Sequence, residues 1–384
     1  METLKKLLKI IYYILLYGLA AAGFVLIGGY LAVKFKITNV PGRVDLNNSY
    51  YEKAARFYEP IMERATSSDL TLSEIEKRIT SLESIKKFKQ VNLCKIAVLK
   101  NSYPDNAAAI ADVYELKNSE VLLSKMLVAA EIRIKNNAEL YKEYVACEYA
   151  PDKKIDENIL VTMVSASSTN LYNWADSEEW QVIKKAIIKD EANIKKAAEI
   201  AGINPRLLVS ICIVEQFRLY FTQRELYEKL FKPLSILANA NKMAWGVMAI
   251  KEKTAIDIED HLKDPSSDYY LGAAYENLLN FQSSDIAAER YARLSDEKNA
   301  YYSYLYGSLY VRQFEKQWEG AGFAIGDRPE LMATLFNIGF KNSKPKNNAE
   351  AGGSELEING LKYSFGSLAY EFFYSGEMRE TFIY

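Results

Sequence analysis

The strongest feature of the hydropathy pattern is an apolar run near the N-terminus, "IIYYILLYGLAAAGFVLIGGYLAV", which extends from Ile10 to Val33 without a charge. As a helix rising 1.5 Å per residue it can cross the roughly 30 Å hydrocarbon core of a bilayer. A cleaved signal peptide needs an apolar region of only about 7–15 residues before its cleavage site. This run continues past Ala20-Ala21-Ala22, so the pattern predicts an uncleaved transmembrane anchor over 10–33. Lys5, Lys6 and Lys9 precede it and Lys34 and Lys36 follow. The balance of positive charge leans toward a cytoplasmic tail at 1–9, with the remainder of the chain outside the cytoplasm.

Beyond the anchor, "TNVPGRVDLNNS" has the Pro, Gly and Asn of a linker, here 34–49. The pattern then turns helical. Thr71 with Glu74 forms a capping-box signature before "IEKRITSLESIKKF". Ser119 is placed to cap one long helix, "EVLLSKMLVAAEIRIKNNAELYKEYV", with apolar residues at three- and four-residue steps. Residues 50–176 therefore read as a helical region of unassigned role. The polar tract "KNSKPKNNAEAGGSE", Lys341 to Glu355, predicts a flexible loop or lid.

A second unit is expected over 177–384. In "KDEANIKKAAEIAGINPRLLVSICIVEQFR" an amphipathic helix ends at Gly202, Asn204 caps the next, and Pro205 suits its first position. That second helix is apolar on nearly every side and must lie inside the protein. It ends on Glu215. A carboxyl at the edge of an apolar interior suits a general acid. The alternative is an exposed helix end with Glu215 pairing to Arg218 at i+3.

Composition narrows the chemistry. A formal charge of −2 over 384 residues, with 26% charged, argues against nucleic acid as the main partner. With a single histidine, His261, a zinc centre or a His-assisted triad is poorly supported, and His261 reads as a solvated helix residue. Of three cysteines, Cys212 falls in the apolar run, while Cys94 and Cys147 can form a bridge in an oxidising compartment. Twenty-eight tyrosines suit either cores or carbohydrate grooves. Those of "YYSYLYGSLYVRQFEKQW", with Tyr301, Tyr304, Tyr306 and Trp318, fit a sugar-stacking wall or a packed helix equally well.

Four segments, in order, resemble the lysozyme-like catalytic domain of the soluble lytic transglycosylases, itself related to goose-type lysozyme: "GINPRLLVSICIVEQF", "MAWGVMAIKEKTA", "KDPSSDYYLGAAYENLLNF" and "ATLFNIG". The resemblance covers the C-terminal half only. It implies a lysozyme-like domain, so that with the anchor and helical N-terminal region read above the expected fold is all-α, a membrane-anchored helical region followed by a lysozyme-like domain. It further implies cleavage of the MurNAc–GlcNAc bond of peptidoglycan strands with 1,6-anhydro-MurNAc formation, at a bacterial inner membrane, without metal or cofactor. Residue by residue, Glu215 corresponds to the family's general acid and base. Gly246, Val247 and Met248 correspond to its sugar-groove turn, and Phe336, Asn337 and Gly339 to the segment facing the acid. Asp264 and Pro265 correspond to the start of a supporting helix packed through Gly272, Ala273 and Ala274.

The sequence departs from the family at Gln216 (usually Ser), Ala249 (usually Gln) and Phe336 (usually Tyr). Two alternatives follow: a goose-type hydrolase assisted by Asp257, Glu225 or Glu228, or a catalytically silent glycan-binding scaffold of an envelope complex. A reporter fused after Tyr384 should read out outside the cytoplasm, and the protein should stay with membranes through high-salt washing. A soluble form beginning near Gly23 would instead identify a cleaved signal.

Overall fold

The computed structural model describes residues 12–13, 16–20, 23–24, 27–28, 72–116, 119–149, 169–221 and 244–384. The pieces between 12 and 28 are helical and mostly exposed, whereas the rest of the expected anchor, the tail, the linker, Thr71, Glu225 and Glu228 lie outside the described residues. The chain is mostly helical, in keeping with an all-α class. Among the described residues no single helix is long and apolar enough to cross a membrane.

The N-terminal helices are α1 (Leu72–Ser102), α2 (Pro104–Tyr114), α3 (Glu120–Ile134) and α4 (Ala138–Tyr149). α1 packs on α2 and α4, and a Cys94–Cys147 disulfide joins α1 to α4 with the Cα atoms 5.7 Å apart. The long helix expected after Ser119 is two helices. Asn137 Oδ1 accepts the Leu140 amide at 3.2 Å, so an Asn side chain starts α4 where a continuous helix would leave it in the interior. Ser119 does stand at the start of α3, yet its hydroxyl turns back to the Val113 and Leu116 carbonyls at 2.6 and 2.8 Å, closing α2 instead of capping α3.

Ser177 caps α5 (Glu178–Lys189) by accepting the Trp180 amide at 3.1 Å. α6 (Glu191–Ala201) ends at Gly202 with φ +72°, the left-handed conformation that a glycine adopts without strain. Asn204 Oδ1 then accepts the Arg206 amide at 2.7 Å and opens α7 (Pro205–Phe221). Every residue of α7 from Arg206 to Glu215 is buried. Arg206, fully enclosed, donates to the carbonyls of Phe373 and Phe382 at 2.8 Å and Phe372 at 3.2 Å.

A two-residue hairpin, β1 (Ala244–Trp245) with β2 (Ile250–Lys251), leads into α8 (Glu252–Lys263). Where a supporting helix is expected from Asp264 through Phe281 there is a chain of turns, with bonds such as Tyr270 N to Ser267 O and Tyr275 N to Gly272 O, both 3.0 Å. Gly272 has φ +106°, outside helical geometry, and Ala273 and Ala274 are exposed, not packed. α9 (Ile286–Ser295), the tyrosine-rich α10 (Tyr301–Gly320) and α11 (Pro329–Ile338) follow. The 341–355 stretch is a loop, as expected, but it is anchored at buried points along its length and is not a free lid. Ser343 Oγ accepts from Trp318 Nε1 at 2.9 Å, Gly352 N donates to Thr334 Oγ1 at 2.9 Å, and Ala349, Ala351 and Ser354 are buried. A hairpin of β3 (Glu355–Ile358) and β4 (Leu361–Ser364) turns at Asn359-Gly360, both at positive φ, and a Ser364/Ser367 capping box starts α12 (Phe365–Tyr374).

α7 is packed by α5, α6, α10, α11 and α12, and α12 is covered in turn by α3. One continuous hydrophobic cluster runs from Ile96 to Phe382. The boundary expected at 176/177 passes through an aromatic group, since Trp174 lies 5.2 Å from Trp180, 6.3 Å from Phe217 and 6.0 Å from Phe372. Arg133 of α3 pairs with Glu371 of α12 deep in the same contact and stacks 4.6 Å over Tyr363.

Burial pushes the Glu371 carboxyl up to about 7, with Arg133 opposing. Its folded pKa lies above the ordinary carboxylate value of 4.5, so its stabilising contribution is complete below that pH and is lost as pH rises through about 7. Arg133→Met leaves an unpaired carboxylate at high pH and a tolerable neutral acid at low pH. Urea denaturation should show a loss of about 3 kcal/mol at pH 8 and much less at pH 5. Equal losses at both would exclude this account of the pair. A chain beginning at Ser177, without Trp174 and α3, should melt well below the full chain.

Candidate active site

Glu215 lies on α7 more than a turn before its end, and its side chain is 4% exposed. Of the alternatives offered by the sequence, each holds in part. The residue is buried, not at an exposed end, and it does pair with Arg218. The Arg218 guanidinium donates through Nε at 2.9 Å, and through Nη2 at closer range, to one oxygen, Oε2. Among the described residues Oε1 accepts no hydrogen bond. A carboxyl gripped at one oxygen by a guanidinium is fixed in orientation.

The neighbouring Gln216 explains how the β1–β2 turn is held beside it. Gln216 Nε2 donates to the Val247 carbonyl at 2.7 Å, a reach that the shorter serine side chain lacks. From the other side α10 clamps the same turn: the Met248 amide donates to Ser303 Oγ at 3.2 Å. Met248 is fully buried, with its methyl carbon 2.8 Å from where a Cβ at Gly307 would lie, so it packs in the core; Val247 is half-buried and Gly246 exposed. Gly246 adopts φ +68°, and a Cβ there would stand 2.2 Å from the Leu294 carbonyl and 2.5 Å from Ser303 Oγ. Ala249 also has positive φ, +49°.

The third segment, at the end of α11, meets the site through α10. Phe336 is 6% exposed, and its ring centroid lies 5.1 Å from that of Tyr310. Gly339, at φ +87°, places its missing Cβ 3.4 Å from the Tyr310 hydroxyl. Asn337 Oδ1 accepts from the amide and hydroxyl of Ser354 at 2.8 and 2.9 Å, which ties the segment to the packed 341–355 stretch. The Tyr310 phenol is pushed up chiefly by burial, with the Phe340 amide opposing and the charges of Glu215 and Asp257 adding to it. Tyr310 is thus the side chain of α10 against which the 336–340 segment packs. The sequence held no signal for it beyond membership of the tyrosine-rich run.

The remaining candidates on that run form a packed helix. Tyr304 donates to Asp190 at 3.1 Å, and Tyr306 donates at 2.6 Å to Glu259, which Arg290 grips at 2.7 and 2.6 Å. Tyr301 is half-buried under Lys196, and Trp318 is buried. His261 is not a solvated residue: it is half-buried, 4.6 Å from Tyr269 and 4.7 Å from Phe340, with Nδ1 2.8 Å from Ser267 Oγ. Burial lowers its pKa, with Asp257, Asp260 and Asp264 opposing. Asp257 pairs with Lys253 at 2.5 Å. Cys212 is buried and approaches the Val247 carbonyl at 3.9 Å.

The chain matches no protein-family profile, no curated protein and no solved structure. Its site is therefore read from its own geometry. Gly246→Ala should force the turn off α7 and α10, because backbone as well as side chain blocks the new methyl. A loss of about 1–3 kcal/mol, the usual cost of overpacking, is expected in chemical denaturation. An unchanged midpoint would show that the turn is not clamped.

Proposed function

We propose that the protein is a membrane-anchored murein lytic transglycosylase with a lysozyme-like catalytic region, acting outside the cytoplasm on peptidoglycan glycan strands. The observation that carries this reading is Glu215: a buried carboxyl with one oxygen held by Arg218 and, among the described residues, no hydrogen bond to the other, beside a turn docked on the same helix by Gln216. Four ordered sequence segments support it, and three of them, around Glu215, Gly246–Ala249 and Phe336–Gly339, meet through α7 and α10. The Cys94–Cys147 disulfide suits an oxidising compartment.

In this mechanism a glycan strand lies against the turn and Glu215 gives a proton to the oxygen linking C1 of the muramoyl sugar to its neighbour. The C1–O bond breaks as the leaving sugar takes that proton. Arg218, whose side chain is 18% exposed, swings away before the acid step and returns to the carboxylate afterwards. The carboxylate then removes the proton of the C6 hydroxyl, and O6 closes on C1 to form the 1,6-anhydro ring. No water is consumed. Because the attack is intramolecular, proximity replaces the second carboxylate that most glycosidases require.

A hydrolase is the second reading, suggested by Asp257 on α8, a helix packed on the same α10 that α7 contacts. In that case Asp257 would position a water. Glu215→Gln is nearly isosteric and should stay folded while losing about 10²–10⁴-fold or more in murein cleavage, since one group serves both proton transfers. Asp257→Asn should keep most activity under the transglycosylase reading and lose most under the hydrolase reading. Near wild-type turnover by Glu215→Gln would rule out both, and an inert wild type would favour the scaffold.

A further inference from the structure

Between α10, α11 and the anchored 341–355 stretch lies a cavity of about 180 Å³ that none of the residues described around Glu215 lines. Its floor is Trp318, Leu331, Leu335 and Ala349, all buried. The polar atoms of that floor are already engaged within the protein. Trp318 Nε1 donates to Ser343 Oγ at 2.9 Å, and Thr334 Oγ1, which also lines the space, donates to the Glu330 carbonyl at 2.6 Å and accepts the Gly352 amide at 2.9 Å. The interior therefore offers hydrocarbon and no hydrogen bond. A dry apolar cavity of roughly 150 Å³ is enough to hold a benzene ring, so this one accepts a single small apolar group. A sugar ring would bury hydroxyls there without partners.

The mouth is opposite in character. Lys344 and Lys346 stand exposed at its edge, and among the described residues neither has a hydrogen bond or an ion pair. Lys125, Lys184 and Lys253, by contrast, each meet a carboxylate within 3.1 Å. Pro345 between the two lysines restricts the backbone, and Ser343 and Ala349 on either side are buried, so both ammonium groups are kept at the rim without an internal counter-charge. Uncompensated cations over an apolar hole complement a small hydrocarbon that ends in an anion. A carboxylate carries its charge on a carbon that continues directly into hydrocarbon, so the head stays at the wet rim while the body enters. We propose that this cavity binds a small apolar carboxylate, supplied as a free acid or as the C-terminal residue of a peptide. The hydrocarbon fills the space over Trp318 and the two leucines, and the carboxylate sits between Lys344 and Lys346. The proposal does not depend on the chemistry assigned to Glu215.

The test is calorimetric titration of the full-length protein, in a neutral detergent, with phenylacetate, N-acetyl-leucine and the uncharged isostere phenylacetamide. At least one acid should bind, and the amide should bind about tenfold more weakly than phenylacetate. Combining Lys344→Gln with Lys346→Gln should weaken the acid by about the same factor, the worth of two exposed ion pairs at the upper end of their usual range. Both side chains are exposed, so the melting temperature should not change. Added salt should weaken the acid and leave the amide unaffected. Ala349→Leu fills the cavity and should abolish binding; if that variant does not fold, the lysine pair and the amide still decide the matter. Tighter binding of phenylacetate identifies free acids as the ligand class, and tighter binding of N-acetyl-leucine identifies peptide ends; either result supports the site. No saturable binding of either acid, equal binding of amide and acid, or unchanged affinity in the lysine variant would overturn the proposal. So would displacement of phenylacetate by inorganic phosphate at equal concentration, which marks a bare cation patch.

Discussion

The fold is organised around the need to enclose one helix. α7 presents apolar side chains in every direction from Leu207 to Val214 and has no face that tolerates water, so it is stable only with neighbours on all sides. α5, α6, α10, α11 and α12 supply them. Its two ends are tied by charge. Near the N-terminus Arg206 closes the terminal carbonyls of α12, and toward the other end Arg218 holds Glu215. A buried arginine left without those carbonyls would carry a large desolvation cost, so α12 and the C-terminal residues are bound into the same core. α12 in turn needs α3 for the counter-charge of Glu371, which draws the N-terminal helices into the body that positions the site.

What was legible in the sequence follows from the range over which each signal acts. The end of α6 at Gly202 and the start of α7 at Asn204-Pro205 depend on hydrogen bonds a few residues long, and the sequence contains both partners. The burial of α7 was legible because an all-apolar helix has one stable environment. Gly246 was legible as a turn, though the reason that only glycine fits there, the Leu294 carbonyl and Ser303, lies far along the chain.

Other features depended on contacts that no local pattern reveals. The polar tract at 341–355 reads as a loop by composition, yet Thr334, Trp318 and Asn337 supply buried partners for its hydroxyls and amides. The helix expected after Asp264 was implied only by the resemblance, and there Gly272 leaves helical geometry and the chain proceeds by single turns. Arg206 and Tyr310 were overlooked for the same reason: the groups that enclose them lie far along the chain. The Asn359-Gly360 hairpin is the exception, since its turn signal was present in the sequence and had only to be weighed against an otherwise helical chain.

Glu215, Arg218 and Gln216 together describe a site in which one carboxyl is held by an arginine and a docked turn lies next to it. The central claim is that this carboxyl drives an intramolecular ring closure without water. The most direct measurement is digestion of purified murein in heavy-oxygen water, followed by mass analysis of the released fragments. The account predicts anhydro-muramoyl ends that carry no label. Reducing ends with one heavy oxygen each would contradict it and identify a hydrolase.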